Sequence, residues 1–237
     1  MLAVIIPCYN EQYNVGRVLD ELTLLNSDTI LVVVNDASTD LTSQKAKETN
    51  KAFVIDLPIN LGVGGAVQTG ILKALRLNAT QAVKFDGDCQ HSSEYIKDLL
   101  KPILQNEADI VIGSRFLSEE PDGFKSSFFR KIGIKLLQVF TKILTGKVIT
   151  DPTSGFRAYG SKAMNFMAVN YPNFDYPEPE EVVLAIKNDL KVLEVPVKMR
   201  ERFAGKSSIS ALGSVYYMIK VMLAMFFIAL RKHKKMD

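Results

Sequence analysis

The sequence predicts an α/β fold: a doubly wound, mostly parallel sheet with flanking helices, followed by a C-terminal amphipathic, largely apolar helix. Three observations carry this expectation. Apolar strand-like runs and helical patterns alternate along residues 1–115. Each run ends in polar groups, which puts ligand chemistry on one sheet edge. Beyond a less regular middle, Ile209 to Leu230 is almost wholly apolar and Arg231-Lys232-His233-Lys234-Lys235 follows it.

Leu2 to Ile6 is the first strand, β-branched and bounded by Pro7, and a helical pattern through Val15, Val18, Leu19 and Leu22 follows. No basic segment or cleavage site precedes that strand, so no secretory signal is expected. The second strand, Ile30 to Val34, ends in Asn35-Asp36-Ala37-Ser38-Thr39-Asp40, where Asp40 or Thr39 is expected to cap the next helix. Phe53 to Leu57 is the third strand, leading through a glycine-rich turn into a helix that ends near Leu77. Ala82 to Phe85 is the fourth, and Asp109 to Ile112 the fifth after a helix from about Ser92 to Leu104. From Phe116 to Phe129 a loop is expected, then an amphipathic helix from Arg130 to Leu144. Another polar loop spans Asp151 to Arg157, a helix runs to about Lys187, and Val192 to Val197 is a late strand.

The fourth strand ends in Asp86-Gly87-Asp88. Side chains two apart on an extended segment point the same way, so both carboxylates can converge on one hard cation, Mg²⁺ or Mn²⁺, that bridges to a diphosphate. A polar turn is the plainer alternative. Composition narrows the rest: 237 residues with 47% hydrophobic and 23% charged suit one globular domain with an appendage. A net charge of +3 is too small to imply nucleic acid. Yet Phe124 to Thr150 holds Lys125, Arg130, Lys131, Lys135, Lys142 and Lys147 and no acid, which reads as a solvated face or as a site for an anionic surface or phosphate. Cys8 and Cys89 read as reduced thiols, and two His leave no zinc constellation. A nicotinamide fold is disfavoured because the turn after the first strand, Pro7-Cys8-Tyr9-Asn10-Glu11, has no glycine to admit a pyrophosphate.

Residues 1–208 are therefore expected to form the catalytic domain and 209–237 an appendage. Its longest uninterrupted apolar run, Val221 to Leu230, is too short to span a bilayer, so an interfacial helix with a basic end is expected. A helix packed on the domain, on a second copy or on a small membrane protein is the alternative.

Taken together, Pro7-Cys8-Tyr9-Asn10-Glu11, Asn35 to Asp40, Asp86-Gly87-Asp88-Cys89-Gln90, Gly113-Ser114-Arg115 and Asp151 to Arg157 resemble, in order, the motifs of family 2 glycosyltransferases. The branch that acts on dolichyl and bacterial polyprenyl phosphates is the most similar. Asn35 departs from the pattern, since many relatives carry a second aspartate there. The resemblance implies a GT-A fold, an inverting reaction, a nucleotide-sugar donor with a UDP-sugar favoured, and Mg²⁺ or Mn²⁺. Carried over by position, Pro7, Tyr9, Glu11 and Asp36 would hold base and ribose. Asp86 and Asp88 would hold the metal with Gln90 close by, and Arg202 would face the diphosphate. Arg115 and Arg130, with Lys131 beside them, would face the acceptor. Two acceptors fit. A polyprenyl phosphate is already an anionic nucleophile near neutral pH, and transfer to it at the inner face of the cell membrane would serve cell-envelope glycan synthesis. A hydroxyl of a lipid-linked saccharide or polysaccharide would instead need a base, Asp151 or Glu180. With a lipid phosphate, Asp151 would orient an arginine or the metal.

Overall fold

The computed structural model describes residues 1–26, 28–117, 128–173, 175, 177–201 and 213–231. Among the described residues the chain forms seven strands and eight α-helices, in the order β1 (Leu2–Cys8), α1 (Val15–Leu22), β2 (Ile30–Asn35), α2 (Thr42–Glu48), β3 (Phe53–Asp56), α3 (Gly62–Arg76), β4 (Gln81–Lys84), α4 (Ile96–Leu104), β5 (Ile110–Ser114), α5 (Phe128–Thr145), β6 (Arg157–Gly160), α6 (Ser161–Asn170), α7 (Glu178–Lys187), β7 (Val192–Pro196) and α8 (Gly213–Leu230).

They build one sheet in the order β3-β2-β1-β4-β6-β5-β7. Strand β1 lies between β2 and β4, all parallel, and its side chains are buried on both faces. That explains its unbroken apolar run. Helices α3, α6 and α7 cover one face over Ile5, Ile71, Ile112 and Met164. Helices α1 and α4 cover the other over Val4, Leu19, Val83 and Leu99. Each such side chain contributes about 1.5–3 kcal/mol by burial.

Strand β6 is not anticipated from the sequence. It runs antiparallel between β4 and β5, pairing Lys84 with Arg157 on one side and Ile112 with Arg157 on the other. Its four residues include a charged arginine, so no apolar run betrays it. Helix α6 was likewise unforeseen, and α5 starts at Phe128, earlier than expected. Neither expected residue occupies the cap position of α2, which is Leu41 and makes no side-chain cap bond; one residue earlier Asp40 Oδ1 accepts the Thr42 N–H at 2.9 Å, whereas Thr39 bonds Asn10.

Helix α8 packs against α5 and α7 through Val221 and Met225, which meet Leu137 and Val183. Its Lys220 pairs with Asp175 at 2.5 Å. Among the described residues, no helix is long and apolar enough to cross a membrane.

Candidate active site at the carboxyl edge of the sheet

The loops leaving β1 and β2 are tied together before they hold anything else. The Asp36 N–H donates to Cys8 O at 2.9 Å, and Asn10 exchanges hydrogen bonds with Ser38 and Thr39 at 2.9 Å each. Glu11 donates its N–H to Thr42 Oγ1 at 2.8 Å and accepts from Asn14 Nδ2. Asn10, Ala37 and Cys89 have φ of 57°, 54° and 65°. Asn tolerates this left-handed region, but for Ala37 and Cys89 it is strain of the kind that surrounding structure must hold in place. Pro7 lies inside β1 opposite Val34, while Tyr9 stands 48% exposed on the loop beyond. Asp36 is buried and accepts the Leu61 N–H at 2.7 Å, and burial pushes its carboxyl up.

Asn35 has a partner that its local sequence does not reveal. Its Nδ2 donates to Asp56 Oδ1 at 2.8 Å, and Asp56 also pairs with Lys47 at 2.5 Å. An aspartate at 35 would set two carboxylates against each other. Asn35→Asp is therefore expected to lower stability by about 1–3 kcal/mol, the cost of a lost buried hydrogen bond. Urea unfolding checks it, and an unchanged midpoint would contradict the pairing.

The Asp86-Gly87-Asp88 turn leaves β4 beside Cys8. A Cβ on Gly87 would lie 2.6 Å from the Cys8 sulfur, so glycine lets the turn close onto β1. Asp86 is bracketed from both sheet faces. Lys84 Nζ lies 3.8 Å from its Oδ1 on one side, and His91 Nε2 lies 3.5 Å from its Oδ2 on the other. His91 Nδ1 accepts the Asp86 N–H at 3.0 Å, and the ring stacks on Phe156 at 4.4 Å. Burial holds the imidazole pKa down, and with Nδ1 accepting, a ring proton sits on Nε2, toward Asp86. Asp88 is buried, and its Oδ1 accepts the Gln90 N–H at 3.0 Å.

This edge is electronegative. Burial drives the Cys8 thiol pKa well up, and Glu11, Asp86, Asp88 and Asp40 add to the effect. Such a field and two hard carboxylate donors fit a divalent cation. Among the described residues no group of three or more His, Cys, Asp or Glu could hold a metal, so the remaining ligands would come from a bound diphosphate or water.

Asp151 and Arg115 meet. Arg115 donates from Nε and Nη2 to the two Asp151 oxygens at 2.7 and 2.8 Å and from its backbone N–H at 3.1 Å. Asp151 is 0% exposed, and its own N–H donates to Glu194 at 2.8 Å. Burial raises the Glu194 carboxyl, with Asp151 contributing. Glu180, the other candidate base, is 1% exposed and accepts from Asn173 at 3.1 Å. Burial lifts its pKa to about 7.

Gln90 marks where the C-terminal segment docks, since its O accepts the Arg200 N–H at 2.8 Å. The Arg200 guanidinium reaches Glu21 and Ser92 at 2.7 Å each. Arg202 lies outside the described residues, as do the Arg130 and Lys131 side chains, whose backbones belong to the first turn of α5. Lys84, His91, Glu178 and Arg200 are the site residues that sequence reasoning missed. The signal for Lys84 was its place inside the apolar run Ala82 to Phe85, where a charge needs a buried partner.

Comparison with known proteins adds to this geometry. Residues 3–167 match the family described as Glycosyl transferase family 2. A UDP-N-acetylglucosamine–dolichyl-phosphate N-acetylglucosaminyltransferase of Methanococcus voltae is 34% identical over 84% of this chain and 85% of its own length. The polyprenol monophosphomannose synthase of Mycolicibacterium smegmatis is 29% identical over 92% and 84%. Among solved structures, glucosyl-3-phosphoglycerate synthase from Mycobacterium tuberculosis, in complex with Mn²⁺, UDP and phosphoglyceric acid, superposes with a TM-score of 0.74 at 17% identity. That superposition covers 99% of this chain and 80% of the other, and it shows the GT-A-like fold.

Proposed function

Because the chain belongs to the family 2 glycosyltransferases, we propose that it moves a sugar, with inversion, from a nucleotide-sugar donor to a polyprenyl phosphate, a UDP-sugar being the favoured donor. The observation that carries this reading is the bidentate Asp151–Arg115 pair. A hydroxyl acceptor needs an open carboxylate to take its proton. Asp151 is fully buried against an arginine, and Glu180 is buried against Asn173. An acceptor that arrives as an anion needs neither, and it needs cations. Asp151 then serves to fix Arg115 as one of them, and Arg130 and Lys131 would supply further positive charge. Named activities of the Methanococcus and Mycolicibacterium relatives favour the same acceptor class.

On the donor side, Glu11 and Asp36 accept hydrogen bonds from ribose hydroxyls and a base N–H, with Pro7 and Tyr9 lining that part of the site. Asp86 and Asp88 would hold Mg²⁺ or Mn²⁺, with Gln90 close by. When bound there, the cation supplies Lewis-acid stabilisation of the charge that grows on the leaving diphosphate. Residue 202 follows Arg200 by two positions, at most about 7 Å of chain, so the anchor at Gln90 favours Arg202 as a donor-phosphate ligand.

Residues 1–208 act as the catalytic unit, and 209–237, together with the outer face of α5, as its membrane contact, peripheral at the inner face. Two exposed apolar stripes support this: Ile132, Leu136, Val139 and Ile143 on α5, and Ile219, Leu223, Phe227 and Leu230 on α8. Both helices lack acidic residues, and Lys135 and Lys142 are exposed beside the first stripe. Apolar stripes with basic flanks suit an anionic lipid surface.

The test supplies Mg²⁺, a panel of UDP- and GDP-sugars and undecaprenyl phosphate in detergent, and measures nucleoside diphosphate release. One donor is expected to respond to the lipid. Arg130→Ala is expected to raise the apparent KM for lipid about tenfold and leave the donor KM unchanged. Release that follows an added saccharide and ignores the lipid would overturn the acceptor assignment.

A further inference from the structure

Burying a lysine at the mouth of a cation site is costly, because its charge loses water and opposes a second cation. Lys84 is 1% exposed, and two carboxylates share it. Glu178, at the first position of α7, lies 2.6 Å from its Nζ, and Asp86 lies 3.8 Å away. Lys84 and Asp86 are two residues apart and share a sheet face, the one that α7 covers. The loop before β6 presses on this contact: a Cβ on Gly155 would lie 2.9 Å from Asp86 Oδ2 and 3.0 Å from Lys84 Nζ. Lys84 is thus held between the donor edge and the start of α7, and its charge can lean toward either carboxylate.

We propose that Lys84 is a positioning residue that competes with the divalent cation for Asp86, and that Glu178 is the counter-seat that draws Lys84 away and so sets how tightly Asp86 binds the cation. The proposal rests on the assignment of Asp86 as a cation ligand. With the Glu178 carboxylate 2.6 Å from Nζ, most of the lysine charge is neutralised on α7 and its pull on Asp86 is weakened. Without that carboxylate, Lys84 turns its full charge on Asp86. The consequence is an opposition of sign between the two partners, which packing alone would not produce.

Titration of Mn²⁺ into the purified chain, with the free aquo ion read by electron paramagnetic resonance with and without UDP, tests this without reference to turnover. Even at a water-like dielectric of about 80, one unit charge about 5 Å from a divalent cation shifts its affinity by about tenfold or more. Lys84→Met is expected to tighten Mn²⁺ binding about tenfold, and Glu178→Gln to weaken it about tenfold. The Lys84→Met/Glu178→Gln double variant buries no lone charge, so it provides the comparison if Lys84→Met alone does not fold. It is expected to bind Mn²⁺ more tightly than Glu178→Gln. Affinities that fall in both single variants, or a double variant no tighter than Glu178→Gln, would overturn the proposal. Asp86→Asn separates the two levels. If it leaves Mn²⁺ binding intact, the cation assignment itself fails and this proposal fails with it. If it abolishes binding while the lysine variants do not respond as stated, only this proposal fails.

Discussion

Asp88→Asn is expected to cut turnover at least about 10³-fold at every Mg²⁺ or Mn²⁺ concentration, since a Lewis acid at a departing diphosphate is worth several kcal/mol and each 1.36 kcal/mol is tenfold. The fold should not suffer. An asparagine keeps the acceptor for the Gln90 N–H, now 3.0 Å from Asp88 Oδ1, and removes one charge from an edge crowded with Glu11, Asp40 and Asp86. A melting temperature within about 2 °C of the parent is expected, as for changes that leave packing alone. Steady-state assays over a range of Mn²⁺ check the first half, and near-parental rates would remove Asp88 from the cation site.

The largest structural effect is expected from Arg157→Met. Arg157 is 0% exposed and spends its guanidinium on Ser154 O at 2.8 Å, Pro152 O at 3.0 Å, Glu178 O at 2.8 Å and the Glu181 carboxylate at 3.2 Å. Three hydrogen bonds and one ion pair thus join β6, the 151–156 loop and α7. Removing the cation leaves Glu181 buried, with Tyr171 as a neutral donor at 3.0 Å. Breaking a buried pair from one side costs about 3–5 kcal/mol, which for a chain of this size lowers the melting temperature by roughly 10 °C. Adding Glu181→Gln should return most of that loss. Calorimetry distinguishes the outcomes: a drop under about 2 °C would mean that the network is not what holds α7 down.

How much of this was legible in the sequence depends on how local each signal is. The Asp86-Gly87-Asp88 turn could be read because an apolar run ends abruptly in acid, and one strand end suffices to place it. Helix α7 was visible for the same reason, its Glu178, Glu180 and Glu181 gathering at a helix start. Strand β6 was hidden because Arg157 reads as a surface residue until Glu178 and Glu181, more than twenty positions later, are known to cover it. Asn35 looked like a departure from a motif, whereas its reason is Asp56, on the neighbouring strand. The Asp151–Arg115 pair falls between: both residues stood out, but only the fold brings positions 36 apart into a bidentate contact. Charges inside an apolar environment are the general blind spot, since pattern gives burial and only topology gives partners.

The insertion of β6 between β4 and β5 also bears on how a growing chain comes off the ribosome. Among the described residues, the sheet neighbours of strand β5 are β6 and β7, both made later. A nascent chain that has emerged only to residue 150 can therefore assemble β3-β2-β1-β4 and no more, with the open edge of β4 waiting for residues 157–160 and β5 unpaired. Synthesis of the acidic turn is complete by then, but the loop that presses Gly155 on Asp86 is not, so the candidate site is completed only once translation has passed residue 160.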